Sequence, residues 1–207
     1  FNTPLAGIVF AIEELSRSFE HRTTGTVITA VIFAGVTSLA VLGNYTYFGE
    51  TTAALSIEQG WLAILVCGAA GGLLGGAFAR MLLAMSAGLP GRIGRWIGDR
   101  PVAFAAACGM VLALIGIASG DTTYGTGYQQ AKLLLEGSSD VPQSFGILKL
   151  LATLVSFVSG IPGGIFAPSL AIGAGLGANL AHILPDTPAG ALVPVSYTHL
   201  TLPTNRE

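Results

Sequence analysis

Ser159-Gly-Ile-Pro-Gly-Gly-Ile-Phe-Ala-Pro168, running on into Ser-Leu-Ala-Ile-Gly-Ala-Gly-Leu-Gly177, is the stretch on which the fold turns. A Pro-Gly-Gly break precedes a long apolar run, so the spacing predicts a helix that opens after Pro162. With apolar sequence on both sides, that opening lies inside a membrane. The first amides of a helix have no intrahelical acceptor, and irregular backbone at that depth is tolerated only within protein or beside a cavity. Gly163 and Gly164 leave the backbone bare, and the amides of Ile165 and Phe166 sit at the positive end of the helix dipole, as an anion site requires. Such a site needs no Lys or Arg. Partial charges on several amides hold an anion reversibly, whereas a full charge in low dielectric holds it too tightly for release. A plain Gly/Pro kink in an ordinary span fits the same residues, and physics alone leaves both readings open.

The composition supplies the membrane. Of 207 residues, 52 % are hydrophobic and only 10 % charged, against roughly 25 % charged in soluble domains, and the mean hydropathy is +0.70. So few charges cannot cover a water-facing surface, and a disordered chain needs the opposite balance. Lipid is the expected solvent. A crossing helix needs about 20 mostly apolar residues, and three stretches without an ionised side chain meet or approach this: Thr26–Gly43, Trp61–Ala79 and Pro101–Ser119. Two more are broken, Phe145–Ser159 by Lys149 and Ile161–Leu184 by its opening Ile-Pro-Gly-Gly. A shorter amphipathic stretch, Pro4–Leu15, ends in Glu13-Glu14.

Loop charge sets the orientation. Ser16–Gly25 carries Arg17 and Arg22, and Arg80–Arg100 carries Arg80, Arg92, Arg95 and Arg100. Asn44–Gly60 holds Glu50 and Glu58, and Gly120–Ser144 has Lys132 against Asp121, Glu136 and Asp140. The positive-inside rule puts the two Arg-bearing loops in the cytoplasm, and alternating spans satisfy all four loops. In Cys67–Gly76, Gly68/Gly72, Gly71/Gly75 and Gly72/Gly76 stand four apart, a spacing that lets helix backbones approach closely in lipid.

Other chemistry is thinly represented. The net charge of −2 and pI near 5.9 exclude a nucleic-acid surface. Cys67 and Cys108 read as small buried hydrophobes, and His21, His182 and His199 have no ligand spacing, so neither a metal nor a cofactor is expected. No nucleophile–base–orienter set and no Walker lysine is present, which argues against an enzyme. Glu13 and Glu14 point about 100° apart on a helix and form no facing pair. Either both cap the span among the headgroups, or one turns inward and carries protons. Lys149 either snorkels, pairs with a carboxylate or lies near the ion route, with a structural or electrostatic role preferred.

Two segments resemble one family. Phe1-Asn-Thr-Pro-Leu-Ala-Gly-Ile-Val-Phe-Ala-Ile-Glu-Glu-Leu15 is similar to the segment that follows the glutamate-bearing motif in the CLC chloride channels and transporters. Gly164-Ile-Phe-Ala-Pro168 matches that family's GxFxP signature, with Ser159-Gly-Ile-Pro-Gly-Gly in the same context. The resemblance runs over residues 1–194. It implies an all-α integral membrane bundle with broken, re-entrant helices, part of a fold of two inverted repeats, and a homodimer with one ion pathway per subunit. It implies that the anion, chloride, is held at Gly164, Ile165, Phe166, Ala167 and Pro168, that Glu14 is the proton-transfer residue, and that Phe1 and Phe10 lie near the water route from Glu14. A carboxylate at 14 leans toward chloride/proton antiport over a passive, voltage-gated-type channel. A non-transporting scaffold fragment is the rival from another class.

The family's gating glutamate in GxExP, the GSGIP serine, the pathway tyrosine and the last helices have no counterpart here. The chain is therefore expected to be the middle of a subunit, the end of the first repeat and the start of the second, and not to transport chloride by itself. Residues 195–207 break the apolar pattern and are expected to be a non-native or disordered tail. The first residue, Phe1, reads as an internal cut, and the location as a cell membrane, the bacterial inner membrane, with multi-pass topology.

Overall fold

The computed structural model describes residues 8–9, 21–43, 51, 57–86, 91–161, 163–184 and 189–201, and all regular structure among them is helical. The chain divides into two compact units, Phe1–Gly49 and Glu50–Glu207.

In the first unit, α1 (His21–Leu42) carries an 18-residue apolar window from Gly25 to Leu42. At 1.5 Å per residue that window is about 27 Å long, close to the hydrocarbon thickness. The expected bounds, Thr26–Gly43, agree within a residue of this window. Of the amphipathic stretch Pro4–Leu15, only Ile8 and Val9 are described, and both are helical.

The second unit holds seven helices among its described residues: α2 (Ile57–Ser86), α3 (Gly91–Asp99), α4 (Pro101–Ala118), α5 (Tyr128–Leu135), α6 (Phe145–Val158), α7 (Phe166–Ile183) and α8 (Ala189–Thr201). α2, α4 and α7 are each long and apolar enough to cross a membrane. α2 is longer than expected and keeps Arg80 within the helix, so the Arg-bearing loop is mostly helical. The sequence of α3, Gly-Arg-Ile-Gly-Arg-Trp-Ile-Gly-Asp, mixes cations with Trp and Ile as interfacial helices do. α4 starts on Pro101, whose fixed φ and missing N–H suit a first helical position. Val102, Met110, Leu114 and Ile117 of α4 are exposed, an outside suited to acyl chains.

The core lies where α2, α6 and α7 meet. Phe78, Leu82, Leu154 and Ile172 are buried together, with Leu74, Met85, Leu150, Phe157 and Ile165 packed against them. A second cluster joins Ala63 and Cys67 of α2 to Leu192 of α8. Backbones touch at glycine: a Cβ on Gly175 would stand 2.7 Å from Gly146 Cα, and one on Gly177 2.8 Å from Val193 Cα. Close approach is also expected at the α2 glycines. At Gly72 and Gly76 an added Cβ would meet no atom within 4 Å, which corrects the expectation for that pair, whereas Gly71 and Gly75 are buried on the face that carries Ala63, Cys67, Phe78 and Leu82.

A second correction concerns the end of the chain. α8 does not stop at Pro194 but runs to Thr201, with Pro194 inside the helix and Ser196 wholly buried. The apolar pattern fades after 194, yet packing of Leu192 and Val193 against α2 and α7 carries the helix onward. Residues 202–207 lie outside the described set.

Candidate anion site at a broken helix

α6 has 14 residues, about 21 Å, too short to cross the hydrocarbon layer. It ends at Ser159, where Gly160 takes a φ of +75°. Ile161 and Gly163–Ile165 are not helical, and α7 starts at Phe166. The helix is thus interrupted between Val158 and Phe166.

The start of α7 carries no side-chain cap: its N-cap residue is Ile165, which has no acceptor to offer. The Ile165 carbonyl accepts from the Ser169 amide at 3.0 Å and from Ser169 Oγ at 2.7 Å. Among the described residues, no acceptor meets the amides of Gly163, Gly164, Ile165 and Ala167. Pro168 has no N–H, so it contributes a ring and not a donor. Gly163 and Gly164 are exposed, and a Cβ on either would meet nothing within 4 Å. Neither has a positive φ. Backbone conformation and neighbouring atoms therefore leave room for a side chain at both positions.

These residues face a cavity of about 540 Å³, within the range of ligand sites. Gly163, Gly164, Ile165 and Pro168 line one side; Ala152, Thr153, Ser156 and Phe157 of α6 line another; Leu112 of α4 and Thr123, Tyr124 and Gly125 complete the wall with Lys149. Phe166 and Ala167 are not among the described lining residues, and Phe166 is 37 % exposed. Glu14, Phe1 and Phe10 lie outside the described residues.

Lys149 is the feature that sequence reasoning left without a partner. It is 2 % exposed, and its Nζ donates to the carbonyls of Thr123 at 2.7 Å and Gly125 at 2.6 Å. The acceptors come from the Gly120–Ser144 segment, which reads as an extramembrane loop. Instead, its first part folds against α6. Asp121 takes a left-handed φ of +65°, rare without glycine, and its amide bonds the Gly116 carbonyl at 2.9 Å as α4 ends. Ser119 Oγ then joins Thr123 Oγ1 at 3.0 Å. At Gly127, φ is +79°, and a Cβ would stand 2.7 Å from Ala171 Cβ and 3.1 Å from Lys149 Cε. The turn is locked around the lysine. The only sequence signal for it is the density of glycines in Gly120–Gly127 together with a charge in an apolar helix.

A family model described as "Voltage gated chloride channel" matches residues 1–200. The chain belongs to the CLC family of voltage gated chloride channels. Among solved structures it is similar to a CLC-type fluoride/proton antiporter, with a TM-score of 0.74 and 26 % identity, covering 97 % of this chain and 49 % of that one. The chain thus spans about half the length of that CLC relative. With its apolar helices, this CLC chain is a multi-pass membrane protein.

Proposed function

We propose that this chain is the middle of an anion-transporting subunit, the end of one inverted repeat and the start of the next, and that the intact subunit exchanges an anion for protons. The observation that carries the reading is the pair Gly163 and Gly164. Among the described residues, neither neighbouring atoms nor backbone conformation calls for glycine there, which suits close approach of a ligand to bare main chain. The uncapped amides of Gly164 and Ile165 at the mouth of α7 supply partial positive charge to that ligand, and Pro168 walls it. Phe166 and Ala167 follow in the same motif.

Chloride is the proposed anion, and the similarity to a fluoride/proton antiporter makes fluoride the competitor to test. Glu14 is the proposed proton-transfer residue, with Phe1 and Phe10 along its route. The proposed assembly is a homodimer in a cell membrane, with one pathway per subunit.

The test is flux through proteoliposomes containing the intact subunit. An imposed anion gradient should drive protons uphill, and Glu14→Gln should abolish proton movement while anion flux continues. Anion flux without proton movement in the unsubstituted protein would make it a passive channel of the same family. Absence of both fluxes would make these helices a scaffold.

A further inference from the structure

The sequence leads one to expect an anion site without a full positive charge. The cavity contradicts that simple picture. Among the described residues in its wall, Lys149 is the one charged side chain, and it shares the cavity with Gly164 and Ile165. No carboxylate pairs with it among the described residues. An ammonium has three donors. Two are taken by the carbonyls of Thr123 and Gly125, and the third has no protein acceptor among the described residues.

We propose that Lys149 sets how tightly the cavity holds its anion. This deepens the transport reading above and rests on it. An unshielded ammonium in low dielectric would trap an anion. Here two carbonyl dipoles, at 2.7 and 2.6 Å, oppose its field. What remains is an attenuated positive charge, enough to raise anion occupancy without preventing release. The same two bonds fix where the charge sits. Gly127 permits this by leaving space beside Lys149 Cε that a side chain would fill. Lys149 is thus a positioning residue of the pathway: it ties the Gly120–Gly127 turn to α6 and acts on the anion through the cavity.

The experiment compares Lys149→Met and Lys149→Arg in proteoliposomes of the intact subunit, with initial uptake of chloride, and separately of fluoride, measured over a range of concentrations. Lys149→Met keeps the length and removes the charge. It should weaken the half-saturating concentration about tenfold or more while the rate at saturation changes less. Lys149→Arg keeps the charge on a different frame, and should stay within about threefold of the unsubstituted protein. Half-saturation in Lys149→Met within about twofold of the unsubstituted protein would overturn the proposal. Should Lys149→Met fail to fold, Lys149→Arg decides: retained half-saturation supports the charge, and a folded Lys149→Arg that loses the anion overturns it. Failure of the unsubstituted protein to take up either anion would instead defeat the transport reading itself.

Discussion

Three sets of glycines in this chain have the same composition and different physics. In α2, Gly72 and Gly76 sit on a helix with open space where a Cβ would be. In α6 and α7, Gly146, Gly175 and Gly177 are pressed against other backbones: a methyl group on Gly175 or Gly177 would collide with main chain, and one on Gly146 would be tight against it. Gly163 and Gly164 resemble the first set in having room and differ from it in lying outside any helix, on a cavity wall. A glycine-rich apolar segment therefore says little until one knows what stands opposite each Cα. A spacing of four permits close approach in lipid and does not compel it.

The comparison breaks or sharpens under substitution. Gly175→Leu should have the largest effect. Its side chain must displace the Gly146 backbone, which cannot rotate away, and a loss of about 3 kcal/mol is expected. The unfolding midpoint of the detergent-solubilised intact subunit reads it, and an unchanged midpoint would mean that α6 and α7 do not meet there. Gly164→Val comes next. With open space and no positive φ at this site, the midpoint should move by less than about 0.5 kcal/mol, while anion uptake falls sharply because the branched side chain covers the bare amides. Equal uptake would put Gly164 with the α2 glycines. Gly72→Ala should do least: replacing glycine in a helix without a clash is neutral or stabilising by about 0.5–1 kcal/mol, and a marked destabilisation would show a partner for that face of α2.

The spans were legible because lipid imposes a contiguous demand. An apolar run of about 20 residues has few other solutions, and Pro101–Ser119 was placed to within a residue. The interruption before Phe166 was legible too, since Pro-Gly-Gly is a local instruction. Long-range pairing was not. Nothing near Lys149 in sequence names Thr123 or Gly125, which are more than 20 residues away and reach it through a turn whose left-handed Asp121 follows no simple rule. Helical structure after Pro194 was missed for a related reason: residues of weak pattern were carried by contacts that Leu192 and Val193 make elsewhere.

Ile165 belongs to two environments at once. Its side chain packs against the cluster of Phe78, Leu82, Leu154 and Ile172, and the same residue lines the cavity. The position of that residue on the cavity wall is consequently held by oily side chains behind it. Under the proposed function, repacking Phe78 or Leu82, which do not line the cavity, would disturb the Ile165 peptide from behind, and selectivity would then depend on residues remote from the anion.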